Sequence, residues 1–318
     1  MSSSLSRREL LGATGAVLLG SRFVQSAGAN ESTADGPTAA PFRYCLNTST
    51  VRGQNLGIVR QVEVAAEAGY DAIEPWMRDL AAFTEAGGSL SDLRKRIADA
   101  GLTVDSAIGF AKWIVDDDAE RQRGLEEAQR DMDVLRQIGG MRIAAPPAGA
   151  TGEAGLDLFR AAERYHALCE LGRRMDVVPQ LEVWGFSKNL SRLSESTFVA
   201  IESGHPQACL LPDVYHLHKG GSDFAGMKLL GPRSMHVFHV NDYPADPPRE
   251  TLRDADRVYP GDGVAPLGDI LRTLRDIGFH GTLSLELFNP EYWQQDALTV
   301  AKTGLEKTRN AVEQALKS

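Results

Sequence analysis

Short apolar, β-branched runs alternate along this 318-residue chain with longer amphipathic segments, and the alternation repeats eight times. The short runs lack strict apolar–polar alternation, as expected of strands covered on both faces. The longer segments carry the helical period, most clearly in Ser91–Ala100, Asp117–Ile138 and Leu156–Met175. The predicted strands are Arg43–Thr48, Ala72–Pro75, Thr103–Ile108, Met141–Ala145, Pro179–Trp184, Ala208–Pro212, Met235–Asn241 and Thr282–Phe288.

The residues at the starts and ends of the predicted helices support a βα repeat. Asp116–Asp118 places negative charge at the start of a predicted helix, where the helix dipole favours it. Alternating strands and helices indicate a parallel sheet, and eight repeats predict its closure into a single (β/α)8 TIM barrel over residues 42–318. An open doubly wound sheet is the alternative, but no glycine-rich GxGxxG follows an early strand. Glycines that precede the next strand end several predicted helices, at Gly69, Gly101, Gly139, Gly140 and Gly278.

The first 29 residues have the layout of a cleavable export signal. Ser6–Leu11 (SRRELL) is a twin-arginine motif, Leu10–Gly20 is mildly apolar, and Ala27–Ala29 offers a small-residue cleavage site. The apolar stretch is shorter than the roughly 20 residues that span a bilayer, although a disordered basic N-terminus is the alternative interpretation. Residues 30–41 are expected to be a linker. We therefore expect folded export to the periplasm or cell envelope, without membrane insertion of the mature protein.

Net charge limits the kinds of binding partner, and the cysteine content limits the kinds of covalent or metal cross-link. Removal of the signal would take the net charge from −9 to −11, which disfavours nucleic acid and anionic membrane as partners. Cys45, Cys169 and Cys209 lie in apolar or helical runs and are expected to be buried thiols. An odd count without a CxxC pair predicts neither a disulfide framework nor a zinc–thiolate site.

Four polar residues stand at the C-terminal ends of predicted strands. These ends converge on one face of a (β/α)8 barrel. Three carboxylates and an imidazole there predict a site for one divalent cation, with room for substrate oxygens. Singly, the two glutamates could face solvent, the aspartate could cap a helix and the histidine could be a core residue. A cation would relieve the cost of burying unpaired carboxylates. The four are Glu182, Asp213, His239 and Glu286.

Around these residues the chain resembles the xylose-isomerase-like barrel superfamily, which includes sugar isomerases and epimerases, inosose and 3-dehydroshikimate dehydratases, and endonuclease IV. The resemblance covers roughly residues 43–315. It implies that the four strand-end residues bind one ion, with manganese expected ahead of magnesium, cobalt or zinc. The motifs that carry it are Leu181-Glu182, Asp213–His216, His239–Asp242, Arg257 with Pro260–Gly263, and Gly281–Asn289.

The same resemblance implies substrate contacts by His216, Arg257, Glu74 and Trp184. His216 would be a contact or a proton donor, unless it is a surface histidine. Arg257 would contact a substrate oxygen or carboxylate, and the PGDG turn after it would hold an anion or be purely structural. Glu74 would touch substrate or support another site group. Aromatic residues after strand ends would stack on a sugar ring or only pack: Trp76, Phe110, Trp113, Trp184 and Phe186.

The predicted site supports proton transfer next to a carbonyl. A divalent ion bound to a ketone oxygen and a neighbouring hydroxyl stabilises an enediolate, and Glu182 and Glu286 would be the acid/base pair that moves the proton. The first expectation is an isomerase or epimerase of a sugar or keto-sugar. The alternative is a dehydratase of a keto-sugar, keto-cyclitol or 3-dehydroshikimate-like substrate, in which His216 or another acid protonates the departing hydroxyl.

Other classes fit less well. An endonuclease IV needs a trinuclear zinc site with more strand-end histidines than this chain offers, and a true xylose isomerase needs a second metal set. A non-catalytic sugar-binding protein would not need both glutamates. We expect a small carbohydrate-like molecule as the partner, and the chain could form a homo-oligomer.

Overall fold

Eight parallel strands form the inner layer of the computed structural model, which describes residues 41–317. The predicted signal peptide and all but the last residue of the predicted linker lie outside this range. The strands are β1 Arg43–Asn47, β2 Ala72–Glu74, β3 Thr103–Val104, β4 Arg142–Ala145, β5 Val178–Glu182, β6 Leu210–Leu211, β7 Val237–Val240 and β8 Thr282–Leu285.

The strands pair in parallel in the order β3-β2-β1-β8-β7 and, separately, β4-β5-β6. The ring closes at two junctions between these groups. The bridges Leu210–Met235 and Asp213–His239 join β6 to β7. The amide of Ala107, past the end of β3, donates to the carbonyl of Arg142 at 3.1 Å. The closed ring confirms the predicted parallel barrel and rules out the open sheet.

The helices lie between the strands in sequence, as the βα pattern predicts. Helix α1 (Gly57–Ala68) is capped by Gly69, whose φ of 91° turns the chain so that the amide of Tyr70 donates to the carbonyl of Ala65 at 3.1 Å. In residues 41–317 no helix combines the length and apolar character needed to cross a membrane. The helices are α1 Gly57–Ala68, α2 Met77–Glu85, α3 Leu90–Asp99, α4 Asp118–Gln137, α5 Leu158–Met175, α6 Leu193–Glu202, α7 Val214–Lys219, α8 Leu267–Asp276 and α9 Ala297–Lys317.

Several strands are shorter than predicted. β3 stops at Val104 instead of Ile108, and β8 stops at Leu285 instead of Phe288. Beyond these points the chain is mostly buried but leaves the regular ladder. The apolar pattern that predicts a strand therefore continues into the loops that build the barrel mouth.

The three cysteines are buried free thiols, as predicted. Burial raises the pKa of Cys169 and of Cys209 to about 12, so both remain thiols at neutral pH. Cys45, in β1, is fully buried as well, and its pKa is also raised by burial. Each thiol is therefore a small apolar packing group.

Candidate active site

Three of the four predicted ligands come together at the C-terminal ends of β6, β7 and β8. Asp213 follows β6, His239 lies in β7, and Glu286 follows β8. One ligand atom of each lies within 4.8 Å of those of the other two, and all three residues are buried. Two carboxylates and an imidazole at this spacing can chelate one divalent ion.

The two ring nitrogens of His239 have different surroundings. Nε2 lies 3.0 Å from Oε2 of Glu74. Nδ1 lies 3.4 Å from Oε2 of Glu286 and 3.9 Å from Oδ2 of Asp213, and among residues 41–317 it makes no hydrogen bond. With the Nε2 proton donated to Glu74, Nδ1 is the nitrogen that faces the two ligand carboxylates.

Glu74 is fully buried at the end of β2. Its Oε2 accepts hydrogen bonds from Ser284 Oγ at 2.6 Å and Asn47 Nδ2 at 3.0 Å, in addition to its contact with His239. Burial would lower the pKa of His239, but the charges of Glu74 and Glu286 outweigh it and raise that pKa well above its usual value. Of the two roles expected for Glu74, its contacts match support of another site residue.

Glu182 ends β5 and is 3% exposed, but it lies outside the close cluster of three ligands. Its Oε2 is buried and has no hydrogen-bond partner among the described residues. Burial, with the nearby charge of Glu286, raises the pKa of Glu182 to about 8, although His239 opposes the shift. Glu182 is thus a carboxyl group that can hold a proton near neutral pH.

Glu286 has the opposite electrostatic environment. Arg257, 1% exposed, donates from Nη1 to Oε2 of Glu286 at 2.8 Å and to Oδ2 of Asp213 at 3.2 Å. Burial alone would raise the pKa of Glu286, but the charges of His239 and Arg257 lower it well below its usual range. The two predicted acid/base residues therefore differ sharply in proton affinity.

His216 lies at the same site, 3% exposed, between Arg257 and the loop after β5. Arg257 Nη2 lies 3.1 Å from its Nε2, and the amide of Gly185 donates to its Nδ1 at 3.2 Å. Burial and the charge of Arg257 lower the pKa of His216 to about 3. His216 is therefore neutral at pH 7, and its burial rules out the alternative of a surface histidine.

The two carboxylate oxygens of Asp213 have different partners. Its Oδ1 caps α7 by accepting from the amide of His216 at 2.7 Å. Its Oδ2 accepts from Asn241 Nδ2 at 2.8 Å and from Arg257. The helix-cap and metal-ligand interpretations of the sequence are therefore compatible, because each uses a different carboxylate oxygen.

A cavity of about 390 Å³ opens beside these residues. Glu182, Glu286, His216 and Arg257 line it together with a set of aromatic side chains. That apolar lining limits water around the polar groups. The aromatic residues of the lining are Trp76, Phe110, Trp184, Phe186, Phe288 and Trp293.

Trp113 differs from the other aromatic residues predicted for the barrel mouth. It is 1% exposed, packs on Tyr165, and donates its indole N–H to the carbonyl of Pro146 at 2.8 Å. Its role is core packing, so a sugar-stacking role for Trp113 is wrong. The loop that follows the strand decides whether such an aromatic faces the cavity or the core.

Several residues of the site were not predicted from the sequence. Asn47 ends β1 and donates to both Glu74 and Glu286, and its position at a strand end was an available signal. Phe288, Trp293 and Arg52 also line the cavity. Arg52 lies on a 3-10 helix (Thr48–Gln54) after β1, where no local pattern distinguishes it from a surface arginine.

The PGDG turn, Pro260–Gly263, is held by an internal anion. The carboxylate of Asp242 accepts hydrogen bonds from the amides of Gly261 at 3.0 Å, Gly263 at 3.1 Å and Ala265 at 2.9 Å. Because Asp242 occupies these donors, the structure favours the structural interpretation of the turn over anion binding.

Replacing Asp242 by alanine is expected to lower the free energy of unfolding by about 2–3 kcal/mol, because it leaves amides of the turn without acceptors. Asp242→Asn retains one acceptor oxygen and should lose less. Urea unfolding followed by circular dichroism measures both variants. An alanine variant as stable as the wild type would show that water satisfies the turn equally well.

Comparison with known proteins places these features in a family. The chain is 25% identical over 274 residues to inosose isomerase of Bacillus velezensis, covering 85% of this chain and 97% of that protein. It is 26% identical over 271 residues to 3-dehydroshikimate dehydratase of Pseudomonas aeruginosa, covering 80% of this chain and 40% of that protein. A zinc-bound crystal structure of the IOLI protein superposes with a TM-score of 0.79 at 22% identity, covering 86% and 99% of the two chains. With residues 62–311 matching its model, the chain belongs to the xylose isomerase-like TIM barrel family.

Proposed function

We propose that this protein is a divalent-metal-dependent isomerase or epimerase of a polyhydroxylated ketone or aldehyde. The observation that carries the proposal is the pair Glu182 and Glu286, which line one cavity beside the cluster of possible ligands. Their electrostatic environments push their pKa values apart. Such a pair can divide the acid and base roles of a proton transfer. The likeness to inosose isomerase supports this reaction class.

The residues present fit a divalent ion. His239 Nδ1 is a buried atom without a hydrogen-bond partner among the described residues, and Asp213 and Glu286 supply carboxylate oxygens next to it. This mixed nitrogen and oxygen set suits manganese or zinc better than a thiolate-seeking metal, and zinc is the metal in the related IOLI structure. The chemistry that a bound ion supplies here is Lewis-acid polarisation of a substrate carbonyl.

The protein's own groups would move the proton. Glu286, with its lowered pKa, stays ionised and can accept a proton from the carbon next to the carbonyl. Glu182, with a pKa of about 8 before any ion binds, can deliver one at neutral pH. Return of a proton to the opposite face would give an epimer, and its return to the neighbouring carbon would give an isomer. Arg257 holds the carboxylate of Glu286 in place during the transfer.

A dehydratase is the second candidate, favoured by the likeness to 3-dehydroshikimate dehydratase. The same proton abstraction leads to loss of a β-hydroxyl when an acid protonates the departing oxygen. Because His216 is neutral at pH 7, Glu182 is the better placed of the two for that step.

Proton NMR in D2O separates the two candidates. The signal-free protein, loaded with manganese or zinc and then stripped of free ion, is incubated with ketoses, 3-keto-glycosides, keto-cyclitols and 3-dehydroshikimate. Zinc is used for spectra that manganese would broaden. Deuterium at the carbon beside the carbonyl, together with an epimer or isomer, is expected. A vinylic signal with loss of water would assign the protein to the dehydratases, and no exchange with any compound would contradict both proposals.

A further inference from the structure

Arg52 is held at the catalytic cavity by aromatic rings. Its guanidinium carbon lies 5.2 Å from the ring centroid of Trp76, 5.2 Å from that of Phe288 and 5.0 Å from that of Trp293. These distances are in the range of cation–π contact. Arg52 lines the same cavity as Glu182 and Glu286. A charged side chain is therefore fixed in an otherwise aromatic part of the lining.

The guanidinium N–H groups of Arg52 are available to a ligand. A guanidinium has five donors in its plane, and in residues 41–317 no side-chain hydrogen bond or ion pair engages those of Arg52. Its neighbours differ: Arg257 pairs with Asp213, Glu286 and Asp254, and Arg78 pairs with Asp79 at 3.2 Å.

Arg52 is partly buried, which removes part of the hydration of its charge. Burial, followed by the nearby charge of Arg78, lowers the pKa of Arg52. Asp254 and Glu286 line the same cavity, but Arg257 already engages both carboxylates. Aromatic rings offset part of the desolvation cost, yet they do not accept the in-plane N–H groups. A ligand that brings its own acceptors would satisfy them.

We propose that Arg52 binds a carboxylate of the substrate, so that the protein acts on an acidic polyhydroxylated ketone. This assignment rests on the proposed function, because it takes the cavity as the catalytic one. The reacting carbons would lie at Glu182 and Glu286, with the carboxylate at Arg52. The planar fork of one guanidinium matches the two oxygens of a carboxylate. A phosphate dianion would call for more positive charge, and two other arginines of this region are already paired, Arg257 with Glu286 and Arg78 with Asp79.

The test uses pairs of ligands that differ only in charge. Quinate and methyl quinate, and gluconate and gluconamide, are titrated into the metal-loaded protein while tryptophan fluorescence is recorded. Trp76 and Trp293, next to Arg52, provide the signal. We expect at least one acid to bind at least tenfold more tightly than its neutral partner. Arg52→Met should abolish that preference, and Arg52→Lys should retain part of it.

Arg78→Met is the matched control. Arg78 also stacks on Trp76, at 4.6 Å, but it is paired with Asp79 and is not among the residues that line the catalytic cavity. This variant should keep the acid preference. Thermal unfolding of each variant checks that the fold is retained.

Several outcomes would overturn the assignment. These are a wild type that binds neither acid at millimolar concentration, a wild type without preference for the acids, and an Arg52→Met variant that keeps the preference. Displacement by inorganic phosphate at lower concentration than by either acid would replace carboxylate with phosphate as the bound group. Exchange of neutral ketoses in D2O reports on the proposed function separately. Acid binding without any exchange would keep the Arg52 site and contradict the isomerase.

Discussion

Replacing Glu286 by glutamine is expected to lower kcat by about 10²–10⁴-fold, the usual contribution of a positioned acid or base, while the fold is retained. Glutamine keeps the shape of the side chain and an oxygen for Arg257, which donates to Glu286 at 2.8 Å. It removes the site that accepts the proton. Glu182→Gln is expected to lower kcat over the same range, because Glu182 is the other ionisable carboxyl group proposed to transfer the proton.

Measurement of kcat, deuterium exchange and metal content together separates chemistry from metal loss. The acid/base assignment requires that a variant with ion still bound shows slow exchange. If exchange returns to the wild-type rate when excess ion is supplied, the glutamate acts as a ligand only. Glu291→Gln, the same chemical change on the exposed loop after β8, is the control and should leave all three readouts unchanged. Near-wild-type turnover in Glu182→Gln or in Glu286→Gln would contradict the assigned roles.

The barrel and the position of its polar residues could be predicted because both follow from local order. Asp213 and Glu286 follow apolar strands, and barrel closure brings such ends to one face. The structure places these two side chains with His239 in one buried cluster. Strand lengths could not be predicted as well. After β3, Asp105 leaves the ladder, and it accepts a hydrogen bond from Thr282 Oγ1 at 2.6 Å, a contact 177 residues away in sequence that no local pattern reveals.

The contacts that set the proton affinities of the site residues could not be predicted from the sequence either. Arg257 is recognisable by its motif, but its simultaneous contacts with Asp213 and Glu286 depend on how the loop after β7 folds back. The same holds for Arg52, whose three aromatic neighbours come from the segments after β2 and β8. Residue type and strand position predict which groups reach the mouth. Which of those groups pair with one another, and hence the charge of each, can be determined only from the tertiary structure.

Replacing Glu74 by glutamine is expected to weaken metal binding by about 10–100-fold at alkaline pH, the usual effect of removing a carboxylate behind a ligand histidine. Glu74 Oε2 lies 3.0 Å from Nε2 of His239, so its charge makes the opposite nitrogen, Nδ1, a better ligand. The measurement is competition with a chromophoric chelator from pH 6 to 9. Ser284→Ala, which removes the 2.6 Å hydrogen bond to the same oxygen without changing charge, is the control and should lose less affinity.

The pH dependence distinguishes this role from packing. Glu74 and Glu286 raise the pKa of His239, so in the wild type an ion must displace a proton and its affinity rises with pH. Glu74→Gln lowers that pKa, which weakens proton competition at the acidic end. The affinities of wild type and variant should therefore converge as pH falls and separate as it rises. A loss of equal size at every pH would show that Glu74 only fills space, and that the basicity of His239 does not depend on it.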